Sequence, residues 1–315
     1  MAPSDDAEEF RQALKRSQHI IVIAGAGLSA ASGIPTFRGA GGMWRSLDAT
    51  NLATPEAFKE NPSLVWQFYH HRRVKALEAQ PNPAHFLLAH LSIPSFLRKV
   101  APAAKTFNLI TQNVDRLSIR VVETIATEQA SQLHLKKIDR IKTNNIIEMH
   151  GRLFDVKCTS CDHSYEDLSN PLCPALGAAD EQFANYHDAG SKDIDIPETE
   201  LPRCPKCGVL ARPGVVWFGE KPLMLDEINQ LVFKADMCLV IGTSSTVHPA
   251  AGYAYRVKRR GGTVAVFNLE PSEGDEKADF VFRGPCEVEL PRALGISGVE
   301  TAEDKQNSGN VEIVR

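Results

Sequence analysis

The sequence has 315 residues, 43% of them hydrophobic and 23% charged, which is enough for one large domain carrying a smaller insertion. A net charge of −4 argues against a nucleic-acid binder, because such proteins need a basic face to displace counterions from phosphates. No apolar run reaches the roughly 18 residues of a membrane-spanning helix, so we expect no membrane span.

The first predicted elements are a helix, a strand and a glycine-rich turn. A helical pattern with Phe10 and Leu14 leads into His19–Ala24, an apolar stretch with the length of a buried strand. Gly25–Ala30 then fits the G-x-G-x-x-A pattern, in which small residues let backbone amides approach a pyrophosphate. Alone, such a segment is often only a tight turn, and the acidic residue that a dehydrogenase would carry about 20 positions later has no convincing candidate.

The rest of the chain alternates helices with apolar strands. A helix is predicted over Ser63–Ala79, and another lies between two buried-strand runs nearer the carboxyl end. Since a strand, a helix and a second strand in this order imply parallel pairing, the predicted fold class is α/β, an open parallel-sheet Rossmann-like domain. The remaining predicted elements are Lys105–Thr111, Ile146–His150, Asp236–Ile241 and Thr263–Asn268 as strands and Pro249–Arg260 as a helix.

Four of the seven cysteines form two C-x-x-C pairs separated by 42 residues. Each pair has the spacing of metal ligands, and four thiolates bind Zn²⁺ tetrahedrally without leaving an open coordination position. Cys173 is interpreted as a packed or free thiol and Cys238 as a core residue. The predicted structural zinc ligands are Cys158, Cys161, Cys204 and Cys207.

Composition divides the chain into a main domain and an inserted module. Between residues 158 and 207 the sequence is rich in Cys, Pro, Asp and Ser, as expected for a small module held by a metal. We predict a discontinuous dinucleotide-binding domain over 10–157 and 208–296, with the zinc-binding module over 158–207. Residues 118–145 are interpreted as a polar, weakly helical insertion and residues 297–315 as a disordered tail.

Four short motifs in the first half of the chain are more specific than a glycine-rich turn alone. They are G-A-G-x-S from Gly25, P-x-F-R ending at Arg38, T-Q-N-x-D ending at Asp115, and the His-Gly pair at His150. In this order they resemble the signatures of the sirtuins, NAD-dependent deacylases that act on acylated lysines. The resemblance covers roughly residues 10–296.

The resemblance implies bound NAD as a co-substrate. Ala26, Phe37 and Arg38 would line the nicotinamide side. Gln112, Asn113 and Asp115 would hold the nicotinamide ribose and amide. In isolation, the last three would be ordinary turn formers. The full set of implied NAD contacts is Gly25, Ala26, Gly27, Ser29, Ala30, Thr36, Phe37, Arg38, Trp44, Gln112, Asn113, Val114, Asp115, Gly242, Thr243, Ser244, Asn268, Leu269, Glu270 and Cys286.

The resemblance makes His150 the catalytic base, with Asn113 as a second catalytic residue. It implies that the acyl-lysine carbonyl oxygen attacks the ribose carbon as nicotinamide leaves, and that neutral His150 then removes a proton from the ribose. An ordinary histidine pKa near 6.5 suits this role. The products would be nicotinamide, free lysine and an O-acyl-ADP-ribose. Histidines without motif support are interpreted as structural: His70, His71, His85 and His163.

Tyr69 and Arg72 lie three residues apart in a predicted helix, so their side chains share one face. An arginine fork beside a phenol suits a carboxylate, although a Tyr-x-x-Arg is usually a solvated helix face. Phe68–Arg73 resembles the sirtuin branch that removes succinyl, malonyl and glutaryl groups, and Ala53 matches the small residue that widens its acyl pocket. The resemblance also implies substrate-peptide contacts at Val216, Gly219 and Glu220.

The implied partners are acylated lysine side chains of other proteins, bound by a monomer. The start of the chain lacks the composition of a mitochondrial transit peptide, which predicts a cytoplasmic or nuclear location, with the mitochondrion as the family-based alternative. An unusual 34 residues separate Asp115 from His150, which keeps an NAD or acyl-lysine binding protein without turnover open. A dehydrogenase, a deacetylase-type sirtuin and a protein ADP-ribosyltransferase are the competing enzyme classes.

Overall fold

The computed structural model describes residues 2–36, 42–45, 47–130, 140–141, 143–185, 194–297 and 312–313. The helices are α1 (Ala7–Arg16), α2 (Ala49–Leu52), α3 (Pro55–Glu60), α4 (Pro62–Glu78), α5 (Pro83–Leu91), α6 (Pro94–Val100), α7 (Leu117–Ala130), α8 (Pro174–Asn185), α9 (Leu225–Lys234), α10 (Tyr253–Lys258) and α11 (Cys286–Leu294). The strands are β1 (His19–Ala24), β2 (Met43–Trp44), β3 (Leu47–Asp48), β4 (Thr106–Thr111), β5 (Ile146–Glu148), β6 (Gly151–Cys158), β7 (Ser164–Glu166), β8 (Ala211–Val215), β9 (Met237–Ile241), β10 (Thr263–Asn268), β11 (Phe280–Arg283), β12 (Ile296–Ser297) and β13 (Glu312–Ile313).

Six strands form one parallel sheet in the order β11-β10-β9-β1-β4-β5, which confirms the predicted α/β class. β1 pairs in parallel with β4 on one side and with β9 on the other. The chain passes from β1 toward β4 and β5 first and adds β9, β10 and β11 on the opposite side later. At such a reversal of strand order, the carboxyl ends of the two neighbouring strands leave a crevice for a ligand.

Helices cover both faces of this sheet, which explains why its strands are unbroken apolar runs. Successive residues of β1 point to opposite faces. Ile20 and Val22 pack in one core with residues of α1, α5 and α11. Ile21 and Ile23 pack in a second core with residues of α9 and α10. The sheet is thus a rigid, fully covered platform for the loops at its carboxyl edge.

A separate core surrounds the antiparallel sheet β7-β6-β8. Trp66 and Phe68 of α4 pack there with Phe154 of β6, and the indole nitrogen of Trp66 donates to Ala211 O at 2.9 Å. We call the described parts of residues 42–79 and 151–217 the small lobe. It is larger than the zinc-binding module predicted at 158–207, because helices that precede the module in sequence complete its core. The domain boundaries given from the sequence stay a prediction.

The connection between β4 and β5 begins with a regular helix, α7, although the sequence pattern predicts only a weakly helical segment there. Val121, Val122 and Ile125 form an apolar stripe at helical spacing, and they are buried against Phe86 of α5. Arg120 extends from the other side of α7 and donates to Ala79 O at 2.8 Å, beyond the last residue of α4. The first half of the predicted insertion is thus packed on both sides; residues 131–139 lie outside the described residues.

Part of the tail predicted as disordered is described. Ile296 and Ser297 pair antiparallel with Ile313 and Glu312. Residues 298–311 and 314–315 lie outside the described residues. Within the part of the chain that the structure describes, no helix combines the length and apolarity needed to span a membrane.

Candidate active site

The ends of β1 and β9 meet through their backbones. Gly25 N donates to Ile241 O at 2.9 Å, and Gly27 N donates to Gly242 O at 2.7 Å. Gly242 has a φ of +59°, and a Cβ built on it would lie 2.2 Å from Leu28 N. A residue with a side chain would both strain and displace this contact. The glycine-rich turn therefore lies at the crevice of the sheet, where the G-x-G-x-x-A pattern predicts it.

The polar turn after β4 is tied to both of these strand ends. Gln112 Nε2 donates to Thr243 Oγ1 at 3.2 Å. Asn113 Nδ2 donates to Gly25 O at 3.0 Å and to Ser29 Oγ at 3.1 Å. The amides predicted to hold the nicotinamide ribose thus lie between the loops that follow β1 and β9.

Ser29 and Asp115 stabilise this turn from inside the protein. Asp115 Oδ1 accepts from Leu117 N at 2.9 Å, and burial raises the pKa of its carboxyl group. Ser29 is fully buried, and its hydroxyl lies 3.3 Å from His85 Nε2. Burial lowers the pKa of His85 to about 3, so this imidazole stays neutral. Ser29 therefore lies behind the cavity wall, where it positions Asn113, instead of on the surface predicted to contact NAD.

His150 lies between β5 and β6, with Nδ1 3.3 Å from Gln112 O. Because a carbonyl oxygen only accepts, this contact assigns the ring hydrogen to Nδ1 and leaves Nε2 free to take a proton. Burial lowers the pKa of His150, so the imidazole is neutral at neutral pH. Its backbone oxygen accepts from Val216 N at 2.8 Å, which links the histidine to the loop that follows β8. This geometry suits a general base.

Glu148, at the end of β5, is a buried acid that the sequence analysis did not single out. Burial raises its pKa to about 7, and Arg152 Nε donates to its carboxylate at 2.5 Å. The signal was an acidic residue within an apolar strand that ends beside the His-Gly motif. The ion pair joins β5 to β6 on either side of His150 and so supports the turn that carries it.

The opposite end of the site is formed by α4. Tyr69 is buried, and its hydroxyl accepts a hydrogen bond from Trp217 Nε1 at 2.9 Å. Burial raises the pKa of Tyr69 to about 12, so the phenol keeps its proton. The Arg72 guanidinium carbon lies 5.6 Å from the centre of the Phe68 ring. Ala53 completes this wall, and its backbone oxygen accepts from Phe218 N at 2.9 Å.

The loop after β8 is held by its own side chains. Arg212 donates to both carboxylate oxygens of Glu220, at 2.6 and 2.9 Å, and Trp217 N donates to Glu220 Oε2 at 2.8 Å. The carboxylate of Glu220, predicted to contact the peptide, thus stabilises the loop. Gly219 has a φ of +88°, and no atom lies within 4 Å of where its Cβ would be. The loop therefore presents an open backbone beside the cavity.

The third side of the site follows β9 and β10. Asn268 Oδ1 accepts from Thr243 N at 3.1 Å, and its Nδ2 donates to Thr243 O at 2.9 Å. Cys286 is buried with its sulfur 3.6 Å from Gly27 O, and burial raises the pKa of its thiol to about 12. Leu269 is 65% exposed. This side of the site thus combines a hydrogen-bonded turn with an exposed apolar side chain.

All these elements enclose one cavity of about 820 Å³. Phe37 and Arg38 lie outside the described residues, and Ser29 lies behind the wall. Every other predicted catalytic, NAD or substrate residue lines the cavity: Gly25, Ala26, Gly27, Ala30, Thr36, Trp44, Ala53, Tyr69, Arg72, Gln112, Asn113, Val114, Asp115, His150, Val216, Gly219, Glu220, Gly242, Thr243, Ser244, Asn268, Leu269, Glu270 and Cys286.

Sequence reasoning missed further lining residues, among them His71, Lys75 and Trp217. His71 and Lys75 belong to α4, and their spacing of four residues should have placed both on one face near Arg72. His71, interpreted from the sequence as structural, has a half-buried side chain at the cavity wall, and its role stays a prediction. Trp217 lies between Val216 and Gly219, which were both predicted to contact the peptide, and yet it was assigned no contact itself.

The four predicted zinc ligands form one cluster in the small lobe. The sulfur of Cys158 lies 3.4 Å from that of Cys207, and the sulfur of Cys161 lies 3.8 Å from that of Cys204. All four sulfur atoms lie within 4.8 Å of one another. Zn–S bonds of about 2.3 Å in a tetrahedron place sulfur atoms about 3.8 Å apart, so the cluster fits a structural Zn²⁺.

Fold and site together define a dinucleotide-binding α/β protein with a cysteine cluster in its smaller lobe. The Sir2 family model matches residues 25–249. The chain therefore belongs to the Sir2 family.

Individual relatives agree with this assignment. The chain is 42% identical over 296 residues to NAD-dependent protein deacylase sirtuin-5, mitochondrial, of Canis lupus familiaris, covering 93% of this chain and 86% of that protein. It is 43% identical over 288 residues to the NAD-dependent protein deacylase of Pyrococcus furiosus, covering 91% of this chain and 96% of that protein. A solved complex of a Sir2 homologue with NAD matches with a TM-score of 0.70 at 34% identity, covering 93% of this chain and 94% of that one.

Proposed function

We propose that the protein removes acyl groups from lysine side chains of other proteins in an NAD-dependent reaction, with a preference for succinyl, malonyl and glutaryl groups. The relatives from dog and Pyrococcus furiosus are named NAD-dependent protein deacylases. The acyl preference rests on one observation: Tyr69 and Arg72 line the same cavity as His150.

The surroundings of Arg72 favour a substrate with a negative charge. Burial lowers the pKa of Arg72, while the nearby Tyr69 and Asp115 oppose this shift. A carboxylate at the end of the acyl chain would accept hydrogen bonds from the guanidinium, whereas the methyl of an acetyl group offers no acceptor. Hydrogen bonds to charged groups contribute about 1.5–3 kcal/mol, which corresponds to a preference of roughly ten- to hundredfold.

The crevice above β1 and β9 suits NAD. Gly25 and Gly27 have no side chains, so a pyrophosphate can approach the turn that they form, while their own amides bind Ile241 O and Gly242 O. Asn268 and Ser244 line the same side of the cavity and suit the adenosine half. When bound, NAD supplies an electrophilic ribose carbon with nicotinamide as the leaving group. His150 then accepts a ribose proton at Nε2, while its Nδ1 stays hydrogen-bonded to the main chain.

The substrate peptide would enter beside the loop that follows β8. Gly219 leaves open space there, and Val216 lies next to His150. An extended peptide that pairs with this backbone as an added strand would carry its acyl-lysine into the cavity. Arg72 and Tyr69 would then meet the distal end of the acyl chain.

The experiment is NAD-dependent nicotinamide release by the purified protein with matched succinyl-lysine and acetyl-lysine peptides, following the peptide product by mass. We expect faster turnover of the succinyl peptide. Preference for acetyl would retain the deacylase and remove the acyl assignment. ADP-ribose attached to protein without deacylated peptide would favour the transferase, and no nicotinamide release would favour a binding protein.

The proposed location is the mitochondrion, in place of the cytoplasm or nucleus predicted from composition. The relative from dog is named mitochondrial. Fractionation of cells that express the full-length protein from its own gene tests this: recovery in the cytosolic or nuclear fraction would contradict it.

A further inference from the structure

A chain of hydrogen bonds connects the loop after β8 to the acyl end of the cavity. Arg212 binds the carboxylate of Glu220, and Glu220 Oε2 accepts from Trp217 N at 2.8 Å. The Arg212 guanidinium carbon lies 3.5 Å from the centre of the Trp217 ring. The indole nitrogen of Trp217 then donates to the Tyr69 hydroxyl at 2.9 Å. The ion pair of Arg212 and Glu220 thus holds Trp217 in place, and the indole nitrogen reaches the acyl end of the cavity.

The direction of the last hydrogen bond is fixed by chemistry. An indole N–H can only donate, so the Tyr69 oxygen must accept from Trp217. The single phenolic proton of Tyr69 is then left for another acceptor. Among the described residues, no second partner of this hydroxyl is present, and Tyr69 lines the cavity. The phenol is therefore arranged to donate into the pocket.

We propose that Trp217 is a specificity-determining positioning residue, whose indole N–H orients the Tyr69 hydroxyl as a donor to the distal carboxylate of an acidic acyl group. This inference rests on the proposed function. A phenyl side chain at position 217 would fill the same space without an N–H, and Tyr69 would then be free to rotate its proton away. An acetyl group places no acceptor at this point, so its turnover does not depend on the indole nitrogen.

The first test is Trp217→Phe, with kcat and KM measured on succinyl-lysine and acetyl-lysine peptides. Loss of one neutral hydrogen bond predicts that kcat/KM for the succinyl peptide falls about three- to tenfold, mainly through KM. Turnover of the acetyl peptide should change little. Phe58→Leu is the matched control, because Phe58 packs on the same indole with ring centres 5.2 Å apart but takes no part in the hydrogen bonds.

The second test is a double-mutant cycle with Tyr69→Phe. If Trp217 acts through the Tyr69 hydroxyl, Trp217→Phe should add almost nothing once that hydroxyl is gone. Replacing residue 217 by benzothienylalanine, which has sulfur in place of the N–H and keeps the shape of the indole, gives the same comparison if the phenylalanine variant does not fold.

The outcomes separate the two proposals. Equal losses on succinyl and acetyl peptides, or additive effects of the two substitutions, would overturn the role of Trp217 and leave the deacylase intact. A wild-type protein that turns over only the acetyl peptide, or neither peptide, would overturn the acyl preference itself and this inference with it.

Discussion

The two ends of the cavity are built from different parts of the chain. At the end proposed to bind the nucleotide, the backbones that follow β1 and β9 touch directly, as in the 2.7 Å hydrogen bond from Gly27 N to Gly242 O. At the end proposed to bind the acyl group, Tyr69 and Arg72 project from α4, and Tyr69 accepts a hydrogen bond from the side chain of Trp217. The first end is part of the sheet itself, while the second is a set of side chains placed on a helix.

Because of this difference, we expect substitutions at the nucleotide end to affect the stability of the fold and substitutions at the acyl end to affect substrate selectivity. A change at the nucleotide end moves backbone that the sheet core holds in place, so the whole fold opposes it. A change at the acyl end replaces one side chain that faces a cavity, so the fold tolerates it and the substrate preference shifts. Substitutions at the two ends should therefore have effects of different kinds.

The largest effect is expected for Gly242→Ala. A Cβ at this position would lie 2.2 Å from Leu28 N and 2.5 Å from Gly27 C, and the positive φ adds strain. We expect a loss of more than about 4 kcal/mol in the free energy of unfolding, or no folded protein. Gly274→Ala is the control, because Gly274 has a φ of +86° with no atom near its Cβ position, so only the conformational cost of about 1–2 kcal/mol remains. Equal urea midpoints of unfolding for the two variants would contradict a close backbone contact between Gly242 and the glycine-rich turn.

The next effect is on turnover alone. His150→Tyr removes the proposed base, which lies between the two ends, and general-base catalysis contributes about 10²- to 10⁴-fold. We therefore expect kcat to fall by that range on succinyl and acetyl peptides alike, with the melting temperature little changed. Activity near the wild-type level on either peptide would exclude His150 as the base.

A smaller and selective effect is expected at the acyl end. Arg72→Met should lower kcat/KM for the succinyl peptide about ten- to hundredfold and leave the acetyl peptide nearly unaffected, because only the acidic group needs the guanidinium. Lys75→Met is the matched control: it removes a cation from the same helix, but Lys75 is half exposed and pairs with Glu78 at 3.0 Å. If both variants lower succinyl turnover equally, general positive charge and not Arg72 selects the substrate.

The smallest effect is a shift in the pH profile. Burial lowers the pKa of His150, and the proposed base would work in its neutral form. Activity should therefore persist as pH falls through the ordinary histidine value of about 6.5 and decline only below it. Single-turnover rates measured between about pH 5 and 8 test this. If the rate already falls with an apparent pKa at or above about 6.5, the histidine is more easily protonated than its burial predicts.

The sequence predicted well what depends on local pattern. The apolar runs of β1, β9 and β10 indicated a buried parallel sheet, and the spacing of Cys158 with Cys161 indicated metal ligands. Residues close in sequence, such as Tyr69 and Arg72, could be assigned to one helix face. These predictions required only helical or strand periodicity and ligand spacing.

The missed features depend on contacts between distant segments. Nothing local shows that Trp217 reaches the hydroxyl of Tyr69, or that helices before residue 79 complete the core around the cysteine module. The burial of Ser29 behind Asn113 is of the same kind, since it follows from how α5 packs under the glycine-rich turn. Tertiary packing decides such cases, and one sequence does not record it.

The 34 residues between Asp115 and His150 join two parts of the site that lie side by side. β4 and β5 are neighbours in the sheet, with Thr111 opposite Glu148, although they are far apart in the sequence. α7 forms the first part of this connection and is held by its apolar stripe and by Arg120. The pairing of β4 with β5 therefore fixes the distance between the two motifs proposed to act in catalysis, so the chain that joins them can add surface to the protein without separating them.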